Sequence, residues 1–174
     1  SSGNTLLQVV VSRGGGKDVA ELLIAKGADI NAKDSRGGTP LHNAVVSRGN
    51  KDVAKLLIAK GADVNAVDVS GKTPLQLALS NKNKDVAELL IAKGADINVK
   101  DSRGSTPLHN AAASREGKDV VELLLAKGAE VNAKDKYGNT PLQAAVSNGN
   151  KDVADLLITK GADITAKESI GNTL

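Results

Sequence analysis

Residues 17–31 read KDVAELLIAKGADIN, and this stretch returns with few changes from Lys51, Lys84, Lys118 and Lys151. Successive copies start 34, 33, 34 and 33 residues apart (51 − 17, 84 − 51, 118 − 84 and 151 − 118). A fixed period of this size is typical of a stacked repeat array, in which each unit buries its apolar face against its neighbours. The stretch therefore decides the fold. The partner of such an array is chosen by the few positions that vary between copies.

Each copy has the pattern of a helix with a wide apolar face. Val19, Leu22 and Leu23 follow the helical period, which predicts burial against more than one neighbour. A Lys-Gly pair ends each copy, and Gly27 and its counterparts are therefore expected in a left-handed C-cap. The residue before each helix is an acceptable N-cap: Asn50, Asn83 and Asn150 in three copies, Gly16 and Gly117 in the others.

A second helix is predicted from the motif Thr-Pro-Leu-(His/Gln). It stands at 39–42, 73–76, 106–109 and 140–143. Proline suits the first helical turn, and the preceding threonine can cap the helix. Before it runs Asp-x-x-Gly, as in Asp34–Gly37, with the composition of a turn. We expect helix pairs near 39–60, 73–93, 106–127 and 140–160, and a degenerate first helix over residues 4–11.

The combined pattern Asp-x-x-Gly-x-Thr-Pro-Leu-His, Leu-Leu and Gly-Ala-Asp-Ile-Asn resembles the ankyrin repeat. The resemblance implies an all-α solenoid of stacked antiparallel helix pairs with projecting β-hairpin-like loops. It also implies a concave face made of the loop tips and the first helices. We expect a single domain over residues 1–174. Its parts are a partial unit 1–33, repeats 34–67, 68–100, 101–134 and 135–167, and a stub 168–174.

Alternate repeats share features at a longer period of 67 residues (101 − 34 and 135 − 68). The repeats at 34 and 101 have His-Asn and a longer inter-helix loop, whereas those at 68 and 135 have Gln and a shorter one. Duplication of a two-repeat block and deliberate design both explain this. The absence of Cys, Met, Trp and Phe favours a consensus-like or engineered chain.

Composition argues against several classes of partner. The 23 basic and 20 acidic residues are interleaved and give a net charge of +3, and Tyr137 is the single aromatic residue. Without basic clusters or stacking aromatics, nucleic-acid binding is not expected. No apolar run approaches the length of a membrane span, and no signal-peptide core is present. We expect no membrane association and a cytoplasmic location.

The sequence offers no constellation for catalysis, metal binding or a cofactor. His42 and His109 stand two repeats apart and cannot share a metal ion. The resemblance implies that each bonds its motif threonine, Thr39 or Thr106, and a neighbouring backbone carbonyl. Aspartates at helix starts and in turns accept backbone N–H groups and need no catalytic explanation. We therefore expect the protein not to be an enzyme.

The resemblance places partner-binding residues at the turn tips, before the motif threonine and at the end of the first helix. These are Ser35, Arg36, Gly38, Val46, Ser47, Val69, Ser70, Lys72, Ser80, Asn81, Ser102, Arg103, Ser105, Ala113, Ser114, Lys136, Tyr137, Asn139, Ser147 and Asn148. The expected function is a non-catalytic protein–protein interaction module whose partner is not identified. The alternative is an engineered or consensus-like structural scaffold with no natural partner.

Two further hypotheses concern the hairpins and the ends. Asn31, Asn65, Asn98 and Asn132 are hydroxylation candidates in similar proteins, with hairpin hydrogen bonding as the simpler interpretation, and Thr165 departs from this pattern. Repeat arrays usually carry polar end units, whereas Val9, Val10 and Val11 crowd the first helix. We expect the face of Val153, Leu156 and Leu157 to be partly covered. A monomer that can stack end to end follows.

Overall fold

The computed structural model describes residues 3–14, 16–46 and 50–166, and this part of the chain contains ten α-helices and no β-strand. The helices are α1 Leu6–Ser12, α2 Lys17–Ala25, α3 Pro40–Val46, α4 Lys51–Ala59, α5 Pro74–Ser80, α6 Lys84–Ala92, α7 Pro107–Ala112, α8 Lys118–Ala126, α9 Pro141–Ser147 and α10 Lys151–Thr159. The two helices of each repeat pack together across a short loop, which makes them antiparallel. The expected helix pairs and the degenerate first helix are confirmed.

The chain divides into two compact units, Ser1–Ala95 and Asp96–Leu174. In the first unit α3 contacts both α1 and α5, and α4 contacts both α2 and α6. In the second unit α7 contacts α9, and α8 contacts α10. Within each unit, consecutive repeats therefore stack first helix on first helix and second helix on second helix. The repeat boundaries and the single domain over residues 1–174 stay predictions.

The core of each unit consists of buried leucines from most of its helices, surrounded by alanine and valine. Leu57, Leu90, Leu124 and Leu157 on the second helices are fully buried, as are Leu41 and Leu75 on the first. Small residues such as Ala54 and Ala87 let the helices approach closely. Such thin layers need no aromatic side chains, in agreement with the composition.

Threonine caps the first helix of the repeats, as the motif predicts. Thr73 Oγ1 accepts a hydrogen bond from the N–H of Gln76, while the Gln76 side chain accepts one from the N–H of Thr73. Thr5 and Gln8 form the same capping box at α1, although leucine replaces proline there. Reciprocal capping satisfies two backbone donors that the helix itself leaves free.

The asparagines that precede the second helices do not cap them through their side chains. Asn50 Nδ2 instead donates to the carbonyl of Val11 at 2.8 Å, and Asn150 Nδ2 donates to that of Ala112 at 2.8 Å. Both amides lie buried and reach the end of the first helix in the preceding repeat. They connect consecutive repeats. The sequence predicted N-caps at these positions instead, because Asn is a common N-cap residue.

Glycine ends every second helix in the left-handed region. Gly27 has φ +90°, and its four counterparts have φ between +84° and +94°. At α2 the N–H of Gly27 donates to Ile24 O and the N–H of Ala28 donates to Leu23 O, the pair of bonds that defines a Schellman motif. The predicted C-caps are confirmed.

The apolar residues exposed at the ends of the array differ from those expected. Val153 and Leu157 are buried, contrary to our expectation, because α10 packs against α9 and α8. Leu156 is partly buried, as expected. Val11 is also buried. These side chains are buried because they lie on the helix faces that pack against their own or the adjacent repeat. The stub 168–174 lies outside the described residues.

Candidate functional site

The projecting turns are held together by their own aspartates. Asp34 Oδ1 accepts hydrogen bonds from the N–H groups of Arg36 and Gly38, both at 2.8 Å. Asp135 Oδ1 does the same for Tyr137 at 2.8 Å and Asn139 at 2.9 Å. These carboxylates order the turn that presents the variable residues, a structural role that accounts for their place in the motif.

Adjacent turns approach each other closely and form a row of tips. The N–H of Val69 donates to Arg36 O at 2.9 Å, and in the second unit the N–H of Lys136 donates to Arg103 O at 2.9 Å. A Cβ atom on Gly104 would lie 2.9 Å from Lys136 N, so only glycine permits this spacing. The backbones of adjacent tips are thereby fixed relative to one another.

The two histidines have the bonds that the resemblance implied. His42 Nδ1 lies 2.9 Å from Thr39 Oγ1 and accepts the Thr39 N–H, while Nε2 lies 3.1 Å from the carbonyl oxygen of Lys72. His109 repeats this with Thr106 and the Asn139 carbonyl. Because a carbonyl only accepts, Nε2 carries the proton. Both histidines therefore connect neighbouring repeats.

Burial lowers the pKa of His42 and His109 below the ordinary value of 6.5, and their backbone hydrogen bonds oppose the shift only in part. The folded protein thus keeps both rings neutral at a pH where the unfolded chain takes up protons. Stability should be complete above pH 6.5 and should fall as the pH drops towards the lowered pKa. We expect the urea midpoint to be lower at about pH 5.5 than at pH 7.5, a window that avoids carboxylate titration.

The control for this pH dependence exists within the chain. Gln8 and Gln143 occupy the same position in other repeats, where each amide donates to the next turn and accepts from its motif threonine. A His42→Gln, His109→Gln double variant should have nearly the same midpoint at both values of pH. A double variant as pH-sensitive as the parent would show that other groups cause the effect.

The hairpin asparagines form a hydrogen-bond ladder between consecutive repeats. Asn31 Oδ1 accepts from the N–H of Asp63 at 2.8 Å, and Asn31 Nδ2 lies 3.4 Å from Gly61 O. Asn132 makes the equivalent bonds to Asp163 and Gly161. The simpler of our two interpretations is therefore confirmed for these residues. Their hydroxylation stays an untested prediction.

Groove 1, in the first unit, lies between α3 and α5 under the turn tips and has a volume of about 460 Å³. Its lining includes Arg36, Asn43, Val46, Val69 and Leu77. Val46 and Val69 are largely exposed. The groove thus offers apolar surface beside one cation.

Groove 2, in the second unit, is the counterpart of groove 1 at the 67-residue period. It lies between α7 and α9 and has a volume of about 490 Å³. Arg103, His109, Asn110, Tyr137 and Ala144 are among its lining residues. Tyr137 is 59% exposed. The framework residues match those of groove 1, whereas the variable residues are more polar.

The structure brings only some of the predicted partner-binding residues into the grooves. Groove 1 contains Arg36, Gly38, Val46, Val69 and Ser70, and groove 2 contains Arg103, Ser105, Ala113, Tyr137, Asn139 and Ser147. The predicted residues outside both linings are Ser35, Lys72, Ser80, Asn81, Ser102, Ser114, Lys136 and Asn148. Ser47 lies outside the described residues. No observation tests partner contact at any of these positions.

Several of the predicted polar residues already bond their own helix. Ser80 Oγ donates to Gln76 O at 2.8 Å, and Asn81 Nδ2 donates to Leu77 O at 2.8 Å. Asn148 Nδ2 donates to Ala144 O at 2.9 Å. These side chains have less capacity left for a partner, which sequence position alone does not reveal.

Asn110 was missed by the sequence prediction. Its Nδ2 is, among the described residues, the one buried side-chain nitrogen or oxygen without a hydrogen-bond partner. Asn110 also lines groove 2. The signal was available: Asn110 precedes the predicted Ala113 and Ser114 by three and four residues, so one more helical turn of the same face would have included it.

No helix in the described part of the chain is long and apolar enough to cross a membrane. The same residues contain no group of three or more His, Cys, Asp or Glu side chains placed to hold a metal ion.

Comparison with protein families agrees with the repeat geometry. The family model described as ankyrin repeats (3 copies) matches residues 6–101 and 98–168. The protein is thus a helical repeat protein, and the chain belongs to the ankyrin repeat family. Ankyrin repeats are generally protein–protein interaction modules and typically non-enzymatic. A search of curated proteins gave no match.

Proposed function

We propose that this chain binds a protein partner through the two grooves, and that groove 2 takes an extended segment with an acidic side chain. The orphan amide of Asn110 is the observation that carries the proposal. A buried donor without a partner is rare in folded proteins and costs about 1 to 3 kcal/mol. A carbonyl or carboxylate oxygen of a bound peptide would supply the missing acceptor.

The charges around groove 2 favour an acidic ligand. Arg103 and Lys136 stand at the exposed turn tips, and neither side chain forms an ion pair within the described residues. The carboxylate of Asp135 accepts the N–H groups of its own turn. His109 stays neutral because burial lowers its pKa. The unpaired charges at the tips are therefore positive, and a carboxylate can form a bidentate pair with Arg103.

Tyr137 gives groove 2 an aromatic anchor. Its ring is 59% exposed beside the groove lining. Tyrosine and arginine are, with tryptophan, the residues enriched among those that dominate binding energy at protein interfaces. Groove 1 has the same framework but offers Val46 and Val69, which suits an apolar side chain. The two grooves thus favour different ligand chemistry within one framework.

The proposal can be tested by selecting random 12-residue peptides on the immobilised protein and measuring their affinity by fluorescence anisotropy. The Arg36→Ala, Arg103→Ala, Tyr137→Ala variant should bind selected peptides at least about tenfold more weakly, the loss of a single anchor being worth 1 kcal/mol or more. Its thermal midpoint should barely change because the three side chains lie at exposed turn positions.

A Lys60→Ala, Lys93→Ala, Lys127→Ala variant is the control, since it removes exposed cations outside both grooves. It should bind as the parent does. Equal affinity of both variants would place the site elsewhere. Failure of repeated selections to give any saturable peptide would favour the alternative, a structural scaffold without a partner.

A further inference from the structure

The amino-terminal repeat exposes apolar residues that are more deeply buried in an identical helix elsewhere in the chain. Helices α2 and α6 both read KDVAELLIA. Val19 on α2 is nevertheless 47% exposed, whereas its counterpart Val86 on α6 is fully buried. Leu6 and Leu22 are also exposed. Since α2 and α6 share one sequence, the difference reflects the neighbour that covers this face: α4 lies against α6.

The last repeat has a matching apolar surface on its opposite side. Val146 on α9 is 64% exposed, whereas its counterpart Val45 on α3 is fully buried. Helix α5 of the following repeat packs on α3, and Asn83 Nδ2 lies 3.3 Å from Val45 O. Ile158 and Ile164 are likewise exposed. Inside a unit, the next repeat thus covers these positions wholly or in part.

The two surfaces complement each other. The amino-terminal one is the side of a repeat that normally contacts the preceding repeat, and the carboxyl-terminal one is the side that normally contacts the following repeat. We propose that a second copy of this chain stacks head to tail on the first. Its amino-terminal face, defined by Leu6, Val19 and Leu22, covers the carboxyl-terminal face, defined by Val146, Ile158 and Ile164. The junction follows the geometry of the repeat junctions inside each unit.

The charges agree with this register. Between repeats of the first unit, Lys51 Nζ lies 2.8 Å from Asp85 Oδ2, and Lys60 Nζ lies 4.0 Å from Glu21 Oε1. At the intermolecular junction the corresponding pairs are Lys151 with Asp18 and Asp155 with Lys26 of the second copy. Both pairs join opposite charges. Exposed pairs add little affinity, and their effect is on orientation and register.

Two links of an internal junction are absent, so the contact is weaker than the internal ones. Gly16 stands where Asn50 connects repeats, and Thr165 replaces the ladder asparagine. Thr165 Oγ1 donates instead to Asp163 Oδ1 at 2.7 Å. The association is consequently concentration-dependent. Because a head-to-tail contact leaves one free face at each end, it produces growing chains of molecules.

Sedimentation equilibrium of the 17.7 kDa chain tests this proposal. The weight-average mass should rise above the monomer between about 10 and 500 μM, the range expected for a contact of small area. Leu22→Asp and Val146→Asp, one on each face, should each stay monomeric. An equimolar mixture of the two should form dimers that grow no further, because each variant keeps one intact face.

Val67→Asp provides the control, since it changes an exposed apolar residue outside both faces and both grooves and should associate as the parent does. Circular dichroism should be unchanged in all variants because the substituted positions are exposed. A parent chain that stays monomeric up to 500 μM, or a mixture that gives no dimer, would overturn the proposal. So would a self-association that only one of the two face variants abolishes, since this indicates a symmetric contact.

Discussion

Replacement of Leu90 by alanine is expected to lower the free energy of unfolding by about 2 to 5 kcal/mol, the usual cost of a cavity at a fully buried leucine. Leu90 is completely buried on α6, between α5 of its own repeat and α4 of the preceding one. An array gains its stability from such interfaces between neighbours, and the loss affects more than one repeat.

The matched control is Leu23→Ala. Leu23 holds the same position in the identical helix α2 but is only partly buried. Helix propensity and local sequence are therefore equal in the two variants, and the difference measures packing between repeats. Urea unfolding followed by circular dichroism should give the larger loss at Leu90. Equal losses would show that interfaces with neighbouring repeats do not set the stability of this chain.

Gly117→Ala is expected to destabilise the protein by about 1 to 3 kcal/mol or more, the cost of overpacking a rigid site. A Cβ atom at Gly117 would clash with the backbone oxygen of Ala111 and lie 3.0 Å from Ser114 O. The first atom belongs to the last turn of α7 and the second to the loop between α7 and α8, so relief requires the backbone itself to move.

Gly16→Ala is the corresponding change in the first repeat. Gly16 also precedes a second helix, but a Cβ atom there would meet nothing within 4 Å. Neither glycine has a positive φ, and backbone strain therefore does not separate the two variants. Thermal unfolding should show a lower midpoint for Gly117→Ala only. A Gly16→Ala variant that is equally unstable would assign the effect to the helix start and not to the clash.

Most of the fold could be predicted from the sequence because each repeat carries the same helix-capping residues and the same apolar pattern. Thr5 and Gln8 cap α1 even without proline, so the motif was recognisable in its degenerate copy. Gly27 and its counterparts take the left-handed conformation that Lys-Gly at a helix end predicts. One Lys-Gly pair is a weak indication of a C-cap, but its recurrence in five copies makes the prediction strong.

The remaining features depend on which neighbour a side chain reaches. Asn is a residue type common at N-caps, yet the amide of Asn50 donates to the carbonyl of Val11 in the preceding repeat. The sequence predicted that Val153 and Leu157 are only partly covered, but both side chains are buried because α10 packs against α8 and α9. The amide of Asn110 is buried without an acceptor, a feature that the sequence does not show. Periodicity locates a residue on a helix but does not give its contact distances.

We propose that Asn110 supplies an unused donor to an acidic ligand in groove 2. Nitrogen-15 NMR tests this proposal by following side-chain amide signals while a selected acidic peptide is added. Its counterpart with glutamine in place of glutamate is the comparison. Asn148, whose amide already donates to Ala144 O, is the internal control. The Asn110 side-chain signals should shift and saturate with the acidic peptide, much less with the glutamine peptide, while those of Asn148 stay in place. Binding of the acidic peptide without any change at Asn110 would contradict the account.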